Sequence, residues 1–247
     1  MNSLDWQLGT VVQVTPETPH AKTFTLRLPH WQPHRAGQHY TLRLTAPDGY
    51  QAQRSYSIAS PPEQTGEVAF TIELIEEGEV SGYLFEGVLP GDQLEVRGPI
   101  GGYFVWEATP QAGPLLLVAG GSGIVPLMCM LRHRQRSGIH NPTALLYSVR
   151  TPEEVIYAQE LRDMAQADPL FYLQLAYTRQ APVGWTGYHR RVDEAMLQEA
   201  LGLLPSAPQC FICGPTGLVE SAANILAEQL QLPASAIHTE RFGPSGS

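Results

Sequence analysis

Arg54-Ser55-Tyr56-Ser57 places a cation, two hydroxyls and an aromatic ring in four residues at the end of a strand-like run. In extended backbone, Arg54 and Tyr56 project to one face and Ser55 and Ser57 to the other. An Arg so placed suits a diphosphate, and the Tyr ring suits the face of a planar cofactor. A second signature, Gly120-Gly121-Ser122-Gly123-Ile124-Val125-Pro126, follows the apolar run Leu115–Ala119 and opens a helix. A buried strand that turns through small residues into a helix offers backbone N–H groups to a pyrophosphate. Pro126 fits the first helical turn and leaves the preceding N–H groups to the anion. Two sites of this kind in one short chain point to electron traffic between two cofactors.

Other segments bear on the same chemistry. Gly78–Leu84 sets Val80 and Ser81 at a helix start, where N–H groups and a hydroxyl can meet a phosphate opposite Arg54. The glycines of Gly98–Gly102 allow close backbone approach. Cys213-Gly214-Pro215 closes an apolar run, and on residue type alone it is a buried cysteine at a strand end. Cys210-x-x-Cys213 lies inside that run. Zinc would need two further ligands and redox motifs of this spacing open a helix, so neither a metal nor a dithiol is expected. Arg132-His133-Arg134-x-Arg136 reads as a solvated helix end whose cations suit the dipole, with a docking patch for an acidic redox partner as the sharper alternative.

The elements that must position these residues differ between the two halves. Thr10–Val14, Ala21–Leu28, His39–Leu44, Val68–Ile75 and Gln93–Arg97 alternate with period two, and turn signals such as Pro47-Asp48-Gly49 and Pro90-Gly91-Asp92 separate them. With the Arg54 run they predict a six-stranded antiparallel barrel, interrupted by a short helix near Ser81–Leu89. Beyond residue 109 strands and helices alternate. Strands are expected over Leu115–Ala119, Thr143–Val149, Phe171–Tyr177 and Gln209–Cys213. Helices are expected over Pro126–Arg136, Glu153–Ala167, Asp193–Leu201 and Leu218–Gln231. That alternation predicts a Rossmann-like, doubly wound parallel sheet with ligands at the strands' carboxyl ends. The expected domains are therefore 1–108 and 109–247.

Composition bounds the function. The 247 residues carry 15 basic and 24 acidic side chains, a formal net charge of −9, which argues against a general nucleic-acid binder. Three cysteines exclude a disulfide framework and fit a reducing cytoplasm. With no run approaching ~18 apolar residues, the expectation is a soluble, cytoplasmic protein without a targeting segment.

The order Arg54-x-Tyr56-Ser57, Gly78–Leu84, Gly98–Phe104, Gly120–Pro126 and Cys213–Pro215 resembles the ferredoxin–NADP reductase family over nearly the whole chain. The resemblance implies FAD on the first domain, with Arg54 and Ser81 at the diphosphate, Tyr56 stacked on the isoalloxazine and Ser57 near flavin N5. Leu74 and Val80 correspond to backbone contacts. It implies a nucleotide pyrophosphate on Gly120, Gly121, Ser122 and Gly123, with Gly214 and Pro215 beside it. Cys213 would then face the nicotinamide. Glu240-Arg241-Phe242 is similar to the Glu-x-aromatic ending of plant-type members, where the aromatic covers the flavin, although here five residues follow Phe242. Ser57, Cys213 and Glu240 are thus the candidates for the hydride-transfer site.

Nucleotide choice rests on the second strand of the α/β half. A 2′-phosphate requires cationic and hydroxyl donors there, whereas a bare 2′-OH prefers a carboxylate. Ser148 and Arg150 supply the former and Tyr157 can stack on adenine, a combination similar to NADPH-specific members. Glu153 and Glu154 lie close by, so NADH stands as the alternative. The resemblance implies an NAD(P)H oxidoreductase passing electrons to a separate ferredoxin or iron–sulfur or molybdenum component, since three cysteines cannot ligate a [2Fe–2S] cluster; the oligomeric state is left open, with a monomer favoured. The alternatives are a small acceptor (quinone, free flavin or ferric chelate) and a non-catalytic nucleotide-sensing module.

Overall fold

The computed structural model describes residues 5–242, which divide into two compact units. One holds the residues up to Glu107 together with Met128–Arg136; the other holds Ala108–Leu127 and the residues from Ser137 onward.

In the first unit the period-two segments become β1 (Gln7–Thr18), β2 (Ala21–Arg27), β3 (His39–Thr45), β4 (Gln51–Ser57), β5 (Glu67–Glu73) and β6 (Gln93–Ile100). They pair antiparallel in the order β4-β3-β6-β1-β2-β5. The edges meet through a bridge between Ile58 and Phe70, so the sheet curls back on itself. Alternation sends Phe24 and Leu26 of β2, Tyr40 and Leu42 of β3, and Phe70 and Ile72 of β5 into one core. Burying each such side chain contributes about 1.5–3 kcal/mol. Helix α1 (Glu79–Gly87) adds Val80 and Leu84, four residues apart on one face, to the same core.

The second unit is a parallel sheet of β7 (Leu115–Gly120), β8 (Thr143–Val149), β9 (Phe171–Tyr177), β10 (Gln209–Pro215) and β11 (Ile237–Phe242), in the order β11-β10-β7-β8-β9. The chain winds outward from β7 to β9 and then returns to β10 on the other side of β7. Strand order therefore reverses between β7 and β10, where sheets of this type leave a crevice at the carboxyl ends. Helices α4 (Glu194–Gly202) and α5 (Thr216–Asn224) bury Met196, Leu197, Ala200, Val219 and Ala222 with Leu116, Val118, Leu146 and Ile212. The Asp193 carboxylate caps α4 by accepting from the Met196 amide at 3.1 Å.

Four local expectations are corrected. The helix expected from Glu153 begins only at Ala158 (α3, Ala158–Ala167), because Val155, Ile156 and Tyr157 turn inward and the Ile156 amide bonds to the Tyr147 hydroxyl. Tyr157 takes a left-handed φ of 59° to make that turn. The last helix starts two residues early, at Thr216, and its final turn widens to a π-turn over Ile225–Gln229. Strand β11 was not anticipated. Finally, the basic cluster on α2 (Ile124–Arg136) is not a solvated face: Arg134 is 4% exposed and Arg132 donates to the Ala59 carbonyl at 2.8 Å.

Candidate functional site

Strand β4 delivers the first set of residues. Its register against β3 sets Tyr56 opposite Tyr40 and Ser57 opposite His39. Arg54 is exposed at the middle of the strand, with its guanidinium on the adjacent Gln53 carbonyl at 2.8 Å. Tyr56 is half-buried against the barrel core, and burial pushes its hydroxyl up to about 12 against the opposing charge of Arg54. Ser57 is 5% exposed and its Oγ makes no hydrogen bond among the described residues. A buried hydroxyl without a partner costs about 1–3 kcal/mol, which a bound polar atom would recover.

The α1 N-terminus faces the same chemistry with bare amides. Its first helical bond runs from the Gly82 amide to the Gly78 carbonyl at 2.7 Å, so the amides of Glu79, Val80 and Ser81 have no intrahelical acceptor. The Ser81 hydroxyl, however, is already engaged. It accepts from the Ile75 amide at 3.2 Å and donates to the Gly78 carbonyl at 3.3 Å, holding the turn that precedes the helix. What Ser81 can offer an anion is its N–H. Leu74 follows β5 directly, its amide fixed on the His20 carbonyl at 2.8 Å. An exposed cation, a helix start and an orphaned buried hydroxyl fit a dinucleotide with a polar ring edge.

The second set gathers at the carboxyl ends of the parallel strands. Gly120 ends β7, a tight turn over Gly121-Ser122-Gly123 follows, and α2 begins at Ile124. This turn lies against the Cys213-Gly214 backbone. A Cβ on Gly123 would run into the Cys213 carbonyl, and one on Gly214 (φ 149°) would come within 2.9 Å of the Gly120 carbonyl oxygen. The two loops touch because neither has a side chain there, and the backbone cradle so formed fits a pyrophosphate at the head of α2.

Cys213 pairs in register with Ala119 on one side and Glu240 on the other. Its side chain is fully buried, and its thiol donates to Glu240 Oε2 at 3.8 Å. Burial and the adjacent carboxylate hold the thiol well above its usual range, while burial pushes the Glu240 carboxyl up to about 7. Cys213 is therefore a neutral donor at physiological pH. Cys210, three residues earlier on the strand, projects to the opposite face and joins the core with Ile212. Phe242 pairs with Pro215 at the end of β11 and is half-buried.

Ser148 is buried at the end of β8, opposite Gly120, and Arg150 is exposed one residue past the strand. The Arg150 carbonyl accepts from the amides of Arg179 at 2.9 Å and Gln180 at 3.1 Å. Exposed Arg179 thus stands beside Arg150, and neither makes an ion pair among the described residues. Sequence reasoning missed Arg179, although it lies just past the end of β9 as Arg150 lies just past the end of β8. Tyr157 is 3% exposed, its ring packed inside the unit.

Apart from Glu240 and Phe242, the residues of both sets fall within matches to known families. Residues 9–105 match the family model described as an oxidoreductase FAD-binding domain, and residues 117–224 that of an oxidoreductase NAD-binding domain. The glycine betaine monooxygenase reductase of Pseudomonas aeruginosa is 32% identical over 85% of this chain and 57% of its own length. Ferredoxin–NADP reductase B of Sorangium cellulosum is 31% identical over 84% of each chain. The chain thus spans little more than half the length of some of the curated relatives it matches. Among solved structures, the FAD/NAD-binding domain of the Vibrio cholerae nitric oxide dioxygenase superimposes with a TM-score of 0.85 at 22% identity, covering 96% of this chain and 99% of that one.

Proposed function

The chain belongs to the ferredoxin–NADP reductase family of FAD- and NAD-binding oxidoreductases, and from that membership we propose that it carries electrons from NADPH through FAD to a separate redox protein. The observation that carries the flavin assignment is the buried Ser57 hydroxyl, without a hydrogen-bond partner among the described residues, next to Tyr56 and three residues from the open Arg54. In this reading Arg54 and the α1 amides neutralise the FAD diphosphate, Tyr56 backs the ring and Ser57 bonds to its polar edge. Gly120–Gly123 and Gly214-Pro215 cradle the nucleotide pyrophosphate. Bound flavin and nicotinamide supply the hydride chemistry, and the protein sets distance and polarity.

Cys213 and Glu240 shape the nicotinamide side as a neutral thiol and a carboxyl that exchanges a proton near neutrality, and Phe242 sits at that strand end. Arg150 and Arg179, with Ser148, form the cationic corner for the 2′-phosphate, which favours NADPH over NADH. Tyr157 supports that corner from within the core and does not present an open ring. The acceptor proposal draws on relatives whose names identify them as reductase components of monooxygenase and dioxygenase systems. No helix among the described residues is long and apolar enough to cross a membrane, and a cytoplasmic setting is part of the same proposal.

An anaerobic titration with each coenzyme tests this. NADPH should bleach the flavin absorbance stoichiometrically. Arg150→Ala should raise KM for NADPH at least ~10-fold and leave NADH nearly unchanged. Equal effects on both coenzymes would place Arg150 outside the 2′-phosphate site, and a purified chain that takes up no FAD would overturn the whole reading.

A further inference from the structure

Cys129, Arg132 and His133 stand at i, i+3 and i+4 of α2, so their side chains share one helical face. All three reach Ala59–Glu63, the segment that begins two residues after Ser57. Arg132 Nη1 donates to the Ala59 carbonyl at 2.8 Å, and Cys129 Sγ donates to the Ser60 carbonyl at 3.0 Å. His133 Nδ1 lies 2.6 Å from Glu63 Oε1. From the barrel itself, His34 Nε2 meets the same Ser60 carbonyl at 3.0 Å. These groups all belong to the first unit.

The grip falls where the sheet ladder stops. The Ile58 amide bonds to the Gln38 carbonyl, the Ala59 amide to the Ala69 carbonyl, and Ser60 Oγ accepts from the Ala69 amide. Pro61 and Pro62 then contribute no N–H at all. The Ala59 and Ser60 carbonyls are instead held by side chains, one of the contacts charge-assisted, and the Pro61 carbonyl accepts from the Gln64 amide. Burial pushes the Cys129 thiol up to about 12, so it stays protonated and able to donate. Among the described residues the Ser57 hydroxyl has no hydrogen bond to fix it, and its placement depends on how the backbone around it is held.

We propose that Arg132, Cys129 and His133 are positioning residues for the flavin half-site, gripping Ala59–Glu63 so that the Ser57 hydroxyl meets the flavin at a fixed angle. The proposal rests on the flavin reading of the Arg54–Ser57 strand. It also gives a role to the basic cluster that neither a solvated face nor a docking patch explains, because Arg132 points at a carbonyl oxygen of the chain itself.

Two measurements separate this idea from the reading beneath it. In the apoprotein, Arg132→Ala should speed hydrogen exchange of the Ala59 and Ala69 amides by ~10-fold or more and leave the β1–β2 ladder unchanged. Cys129→Ala should do the same more weakly if the Arg variant folds poorly, and Arg132→Lys should restore most of the protection. In the FAD-loaded protein, Arg132→Ala should change the bound-flavin absorption envelope and slow flavin reduction ~10-fold, while Arg54 keeps FAD affinity within ~3-fold of wild type. In the Ser57→Ala background, Arg132→Ala should add nothing further to either readout, the mark of one residue acting through another. Unchanged exchange in both grip variants overturns the proposal whatever FAD does, as does strict additivity with Ser57→Ala. Faster exchange in a chain whose wild type takes up no FAD overturns the flavin reading, and the proposal with it.

Discussion

Glu240 carries the most informative titration in the molecule. Its folded pKa of about 7 lies above the ordinary carboxylate value of 4.5, so the folded chain holds this proton more tightly than the unfolded chain. The associated stability is fully present below the ordinary value and is lost as pH rises through about 7. Glu240→Gln keeps an acceptor for the Cys213 thiol and removes the charge. The variant should match wild type in thermal stability near pH 4.5 and exceed it by pH 8, by about 2–3 kcal/mol. A stability difference that stays constant between those pH values would show that Glu240 titrates as an exposed acid. Arg54→Ala tests the opposite end of the chemistry. Removing a charge-assisted contact of about 1.5–3 kcal/mol should weaken FAD binding roughly ten- to hundredfold, read by titrating FAD into apoprotein. Residue type announced Arg54, and the family resemblance announced Glu240. They did not announce the packing of Arg132 or Arg134, because clustered cations on a helix are ordinarily solvated and nothing in the local pattern shows that the chain folds over them.

At the scale of elements, the contact between the β7–α2 turn and the end of β10 is the joint on which the nucleotide half-site depends. A methyl group on Gly123 would strike a backbone carbonyl, and no rotamer of a neighbour can relieve that clash. Gly123→Ala should therefore cost about 2–4 kcal/mol in chemical unfolding and abolish nucleotide binding. Gly217→Ala, on α5 with open space around it, should change stability by less than ~0.5 kcal/mol. Comparable losses in both variants would point to a general intolerance and not to the loop contact. The glycine run itself was legible, and so were β8 and β9, whose apolar runs coincide with the strands. Strand β11 was not, since only Ile237 of its six residues is buried and an edge strand of that kind carries no alternating signal. The early start expected for α3 failed because Val155-Ile156-Tyr157 continues a helical apolar pattern, while in the fold those side chains close the β8 loop.

For the whole molecule, the decisive question is where the electrons go, and net charge gives a handle on it. The chain carries a formal −9, and two of the cations that looked available for docking an acidic partner, Arg132 and Arg134, are drawn into its own packing. Encounter with an acidic ferredoxin is then opposed at long range by like charge, and added salt screens that repulsion. In stopped flow, oxidation of the NADPH-reduced protein by such an acceptor should become faster between about 10 and 150 mM salt, where the screening length falls to about 8 Å. A neutral quinone, which feels no such field, should show little change over the same range and should turn over more slowly at matched concentration. A rate with the ferredoxin that falls steeply with salt would show that a positive surface elsewhere on the chain does the docking. Fast, salt-independent turnover with the quinone alone would make a small acceptor the physiological one.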